Sequence, residues 1–226
     1  MIKIENIDVY GFESAIRGMR NPMNSWDRSD SEFIYDPTSV CDHQCGRCEF
    51  FGHDYLCNRV GENDLDLMKR LFKGGTEHRK YMRMINVTMD ITAPLYWWKE
   101  FDTYKIGTVA NSCSTMHKIH AKEFEFDDFS TDHLEDFGWN RLDDLIIHMN
   151  ICRKKFLETK DKKYWWQMIQ LLPTSYNQRR TVQMNYEVAV NIIRQRQNHK
   201  LDEWHVMVDE LLRLPYMKEI MGLDGE

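Results

Sequence analysis

Apolar residues recur along the chain with two different periods, and the predicted elements follow from them. Leu65, Met68, Leu71 and Phe72 return at the three- and four-residue spacing of an amphipathic helix, which Gly74-Gly75 stops. From Tyr81 to Thr92 the period drops to two. Tyr81, Ile85, Val87, Met89 and Ile91 fall on one side, with Asn86, Thr88, Asp90 and Thr92 on the other, which predicts a half-buried strand. Thr92 then reads as an N-cap, with Pro94 in the first turn of a helix running through Leu95, Trp98 and Phe101 towards Tyr104. The second half reads as helical. Leu142, Leu145, Ile146, Met149 and Cys152 form one stripe; Trp165, Met168, Ile169 and Leu172 form another, closed by Pro173. A helix begun at Arg180 or Thr181 carries Met184, Val188 and Ile192, and a last one carries Leu201, Trp204, Val208, Leu211 and Leu212. A helix-rich α+β fold with few strands fits these signals. Between Gly18 and Arg59 no period is sustained, and an irregular excursion of that length calls for a staple or a function.

The 226 residues hold no repeat, low-complexity tract or Pro/Gly/Ser linker, so a single domain spanning 1–226 is expected, with an irregular cysteine-bearing insertion at about 29–60. Hydrophobic residues at 42% and charged residues at 29% suffice for a sizeable core. The 30 Lys and Arg against 36 Asp and Glu leave a net charge of −6, which argues against a non-specific nucleic-acid partner. An anionic ligand therefore needs a local cationic pocket. No apolar run approaches the roughly 18 residues of a membrane span, and Met1-Ile2-Lys3-Ile4-Glu5 lacks the layout of a secretory signal. A soluble, cytoplasmic protein with no membrane partner is expected.

Cys41, Cys45, Cys48 and Cys57 crowd into the irregular stretch, with His43 and His53 beside them. A structural zinc ion held tetrahedrally by the four thiolates would close the long excursion. Unligated reduced thiols are also compatible with the spacing, because the last interval is not a repeated C-x-x-C knuckle. The C-x3-C-x2-C triplet also resembles the iron–sulfur motif of radical-SAM enzymes, although nothing else in the chain resembles their barrel. Cys113, between Ser112 and Ser114 with His117 and His120 downstream, reads as a small buried loop residue rather than an activated thiol. The pairs Trp97-Trp98 and Trp165-Trp166 read as core or subunit interface.

Two further stretches carry a resemblance that periodicity does not supply. One is Thr92-Ala93-Pro94-Leu95-Tyr96-Trp97-Trp98-Lys99-Glu100-Phe101, continuing through Thr103-Tyr104-Lys105 to Asn111-Ser112-Cys113-Ser114. The other is Leu172-Pro173 followed by Asn185, Glu187, Asn191, Arg196, His199 and Trp204. Pro173 lies twelve residues before Asn185, Asn185 six before Asn191, and Asn191 five before Arg196. Together these resemble the flavin-dependent thymidylate synthases, from the helix near Asn63 to Pro215. The resemblance implies a small antiparallel sheet flanked by helices, assembled as a homotetramer that holds FAD between subunits. It implies transfer of a folate-derived carbon to a pyrimidine nucleotide, dUMP or a relative, with reduced flavin as hydride donor and NADPH as a further partner. By resemblance Arg196 and Ser114 take catalytic places, and Asn185, Asn191, His199, Lys105 and Asn111 take flavin-binding ones.

The chain departs from that pattern at several cations. Thr103-Tyr104-Lys105 stands for an R-H-R triplet, Glu187 for the arginine of N-x-R, and Ile169 for an arginine four residues before the L-P proline. A hydrogen bond to a charged group is worth about 1.5–3 kcal/mol net, so two lost partners cost roughly 3–6 kcal/mol. Lys99, Lys105, Lys118, Arg179 and Arg180 are the candidate replacements. The carboxylate of Glu187 would repel a pyrophosphate unless it is protonated or turned away.

Overall fold

The computed structural model of the chain describes residues 2–34 and 57–223. The elements in order are β1 (Lys3–Tyr10), α1 (Phe12–Arg20), β2 (Glu32–Ile34), β3 (Cys57–Arg59), α2 (Glu62–Lys73), β4 (Asn86–Pro94), α3 (Leu95–Phe101), β5 (Thr108–Ser112), α4 (Asp136–Thr159), α5 (Lys162–Leu171), β6 (Asn177–Asn185), α6 (Tyr186–Arg196), α7 (Asp202–Arg213) and α8 (Met217–Met221). β1, β4, β6 and β5 form a small antiparallel sheet in that order, and β2 pairs with β3 as a separate short hairpin. The mixed fold predicted from periodicity and resemblance is the fold observed. Among the described residues no helix is long and apolar enough to cross a membrane.

The chain divides into two compact units, a larger one of residues 4–90, 104–109 and 182–226 and a smaller one of residues 1–3, 91–103 and 110–181. In the larger unit α1 buries Phe12, Ala15, Ile16 and Met19, a helical stripe that runs into the excursion read as irregular from Gly18. Gly11 precedes it at φ +100°, where a Cβ would stand 2.2 Å from the carbonyl oxygen of Met84, so only glycine fits. The ring of Phe12 meets Tyr186 and Tyr216 edge-on at 5.6 and 5.7 Å. Tyr186 begins α6, whose residues Tyr186–Val190, Ile192 and Ile193 are all buried; its hydroxyl donates to the carbonyl of Pro215 at 2.9 Å.

Ion pairs are sunk into this unit. Arg20 Nε donates to Asp64 Oδ1 at 2.6 Å, and the other carboxylate oxygen accepts from the hydroxyls of Ser29 and Ser31 at 2.7 and 2.6 Å. Burial alone would raise the Asp64 pKa, but the hydrogen bonds from Ser31, Ser29 and Arg20 outweigh it and hold the carboxyl below its usual range. Arg79 clamps Glu187 with Nε at 3.1 Å and Nη2 at 2.8 Å. Glu187 is thus paired with Arg79 inside the protein.

The smaller unit is built on the α4–α5 hairpin. Leu142, Ile146, Met149, Cys152 and Met168 are buried with Ile119, Phe124 and Phe129, as the two predicted stripes require. Asp161 caps α5 by accepting from Lys163 N at 3.0 Å. Asn150 pairs with the backbone of Phe124 in both directions, each bond 2.9 Å. In α3 the Trp97 ring stacks on Phe101 at 5.2 Å, and the Trp98 indole donates to Gln178 O at 2.9 Å. The pair Trp97-Trp98 is core.

Three expectations are corrected. Thr92 is not an N-cap: β4 continues through Pro94, and the first amides of α3 donate to the carbonyls of Tyr176 and Thr174 at 3.0 Å each. The helix expected from Arg180 or Thr181 begins only at Tyr186, because residues up to Asn185 belong to β6, which buries Gln178, Val182 and Met184 at period two. Cys113 is exposed rather than buried.

Candidate functional site

The end of α6 and the start of α7 gather side chains of the larger unit around Trp204. The chain leaves α6 at Arg196, turns with His199 N donating to Arg196 O at 3.0 Å, and re-enters a helix at Asp202. Trp204 is wholly buried, and the Arg196 guanidinium carbon lies 4.6 Å above its ring. The same guanidinium lies 5.6 Å from the Tyr104 ring, and its Nε donates to the Tyr104 hydroxyl at 2.9 Å. That hydroxyl donates in turn to Gln195 Oε1 at 3.0 Å. The two aromatic faces and the hydrogen bond to Tyr104 orient Arg196, which with Arg194 is one of the two cations in the last turn of α6.

His199 packs edge-on against Trp204 at 6.1 Å, and its Nδ1 accepts from Leu201 N at 3.2 Å. That bond assigns the ring hydrogen of the neutral form to Nε2. Arg196, His199, Tyr104 and Trp204 thus form one cluster of a donor cation, a donor imidazole and two aromatic walls. Such a set suits a planar, partly anionic ring.

The remaining candidates of this unit sit around the helix rather than in that cluster. Asn185 is the N-cap of α6, its Oδ1 accepting from Val188 N at 3.1 Å. Gly107, at φ +79°, lies against this amide, and a Cβ there would come within 2.9 Å of Asn185 Nδ2. The short loop bearing exposed Lys105 is therefore pressed onto the start of α6. Asn191 is half-buried, and five residues of helix turn it about 140° away from Arg196. Asn191 and Arg196 do not share a face of α6.

Asn111 and Ser114 belong to the smaller unit. Asn111 is exposed on β5, and the Ser114 hydroxyl accepts from the backbone amides of Met116 and His117 at 3.2 and 2.8 Å, closing a local turn. Arg180, a candidate phosphate cation, donates to Asp102 Oδ1 at 2.7 Å and to Gln178 Oε1 at 3.0 Å, with its guanidinium 4.2 Å over Trp98. Cys41, Cys45 and Cys48 lie outside the described residues. Of the fourth, Cys57, only the backbone is described, in β3. Among the described residues no group of three or more His, Cys, Asp or Glu side chains is placed to hold a metal.

Two features carry no sequence signal. Arg79 stands 108 residues from its partner Glu187, a distance no local pattern spans. A cavity of about 680 Å³ in the larger unit is lined by Arg20, Asn24, Arg28, Asn63 and Arg70, drawn from α1, α2 and the turns between α1 and β2.

The architecture that holds these residues is that of solved flavin-dependent thymidylate synthases. One is thymidylate synthase X (ThyX) of Helicobacter pylori, crystallised with FAD and dUMP: TM-score 0.64, 16% identity, covering 99% of this chain and 98% of that one. A second crystal structure of the H. pylori enzyme complexed with FAD and dUMP gives a TM-score of 0.62 and 15% identity over 97% and 99% of the two chains. No protein-family profile matches the sequence, and no curated protein matches it. At this identity the likeness is one of fold.

Proposed function

We propose that the chain is a flavin-dependent thymidylate synthase-like protein that binds FAD and a pyrimidine nucleotide, dUMP or a relative, using the α6–α7 end of its larger unit. The carrying observation is the oriented Arg196 cluster, on a fold shared over nearly the whole chain with proteins crystallised with those two ligands. Arg196 holds the pyrimidine and stabilises negative charge on its carbonyl oxygen. His199 donates from Nε2 beside the flavin, and Asn185, Asn191 and Lys105 line the nucleotide part of that cofactor. When bound and reduced, FAD supplies the hydride for methyl transfer from a folate donor, with NADPH as the source of electrons, in a homotetramer. The residues present fit such a ligand at Arg196 and His199, and the internal pairing of Glu187 removes the carboxylate that would repel it.

Titration of the purified protein with FAD, followed by quenching of flavin fluorescence, tests this reading. Saturable quenching is expected, and protein that FAD cannot occupy would overturn it. Arg196→Ala is expected to weaken dUMP binding by about 1.5–3 kcal/mol, roughly ten- to hundredfold; an unchanged affinity would withdraw the role of Arg196.

A second reading is a non-catalytic nucleotide-binding or structural oligomer that keeps the fold without the chemistry. It is favoured by the use of Asn185 Oδ1 as a helix cap and of the Ser114 hydroxyl as a turn acceptor, both structural tasks. Bound FAD and dUMP with no conversion of dUMP in the presence of folate donor and NADPH would select it.

A further inference from the structure

On the α4–α5 hairpin, away from the Arg196 cluster in sequence and in a different unit, three lone-pair atoms converge. Cys152 Sγ lies 3.6 Å from Nε2 of His148, one helical turn earlier, and 3.5 Å from Oε1 of Gln167 on α5. His148 Nε2 and Gln167 Oε1 are 3.3 Å apart. An imidazole nitrogen, a thiol and an amide oxygen close a triangle that hydrogen bonds alone fill poorly. The thiol offers one hydrogen, Nε2 at most one and the amide oxygen none, so at least one edge lacks a proton.

The three separations match one face of a tetrahedral zinc site. Bond lengths of about 2.3 Å to sulfur and about 2.0–2.2 Å to nitrogen and oxygen put tetrahedral donors about 3.6 Å apart for S–N and S–O, and about 3.4 Å for N–O. We propose that His148, Cys152 and Gln167 form a three-donor site for a thiophilic divalent cation, Zn²⁺, whose fourth position is open to water. Sulfur and imidazole suit zinc, while the amide oxygen is a harder, weaker third donor. Cys152 is buried over Met149 and Met168, which supply a dry floor, whereas His148 is exposed and gives the ion a way in. Lys155, whose charge reaches the Cys152 thiol, is drawn over the Tyr164 ring at 5.5 Å. Binding transfers the Sγ proton to solvent and forms the bond from the thiolate electron pair, with no change of oxidation state. The site shares no residue with the Cys41, Cys45, Cys48 and Cys57 group.

The test uses the full chain carrying Cys41→Ser, Cys45→Ser, Cys48→Ser and Cys57→Ser, titrated anaerobically with Co²⁺ and then displaced by Zn²⁺. A near-ultraviolet thiolate-to-cobalt band that Zn²⁺ abolishes is expected. Adding Cys152→Ser should remove the band, His148→Ala should weaken binding by about tenfold or more, and Gln167→Glu should tighten it by adding a charged oxygen. Absence of the band, or its survival in Cys152→Ser, overturns the proposal. If the quadruple variant does not fold, Gln167→Glu and His148→Ala in the otherwise unaltered chain must shift the stoichiometric Co²⁺ titration in opposite directions; no shift in either overturns it.

Discussion

The two units bury polarity in different ways. The larger unit sinks charges and pairs them, Arg20 with Asp64 and Arg79 with Glu187, each pair about nine-tenths covered. In the smaller unit no described charged side chain is buried outright, and the groups that answer one another inside are neutral: the half-buried Asn150 amide meets the Phe124 backbone, and the Trp98 indole meets Gln178. A buried ion pair contributes little against a well-packed apolar alternative, yet removing one partner strands the other charge. A neutral amide leaves a smaller debt. The larger unit is therefore the more sensitive to single substitutions at polar sites and to acid.

The largest contrast is expected at Asp64. Asp64→Ala leaves the Arg20 guanidinium buried without its carboxylate and should cost about 3–5 kcal/mol in chemical denaturation; a loss under 1 kcal/mol would erase the distinction between the units. The same residue gives the acid response its sign. Its folded pKa is depressed, so its stabilisation is in full force above the ordinary aspartate range and is lost as pH falls through that range towards the lowered folded value. A denaturation midpoint that falls on acidification in the parent, and falls less in Asp64→Asn, would bear this out.

In the smaller unit Asn150→Ala should cost about 1–3 kcal/mol, the penalty of leaving the Phe124 amide and carbonyl buried without partners. Hydrogen exchange should localise the loss to the Phe124 amide. The smallest effect is expected at the N-cap of α6. Asn185→Ala should cost about 0.5–2 kcal/mol of stability, and comparing its FAD titration with the parent's separates capping from cofactor contact. A variant that loses stability but keeps FAD affinity restricts Asn185 to the cap.

Helices with a wide apolar face were legible, since α2, α4 and α7 repeat their buried residues at the helical period, and α5 turns Trp165, Met168 and Ile169 onto one core. β6 was not. Met184 stands four residues before Val188 and eight before Ile192 of α6, so it reads as an extension of that helix, while the period-two signal of Gln178, Val182 and Met184 is diluted by arginines and glutamines that find partners only in the folded chain. The start of α3 shows the same limit, because backbone carbonyls some eighty residues away perform the capping that a side chain was expected to do. For the site, the chain order placed Arg196, His199 and Trp204 close together through one helix turn and a short connection. It did not show that Tyr104 completes their cluster.

Sequence alone determined the mixed α/β character, the principal helices and the resemblance that marks out Arg196, because these depend on residue spacing and the period of the backbone. Tertiary structure alone decided that Glu187 is locked by Arg79, that Tyr104 and Trp204 clamp Arg196, and that Cys152 meets His148 and Gln167 at a common point. Those are contacts between side chains brought within a few ångströms by packing, and their energy depends on distance and desolvation, which a linear pattern does not contain.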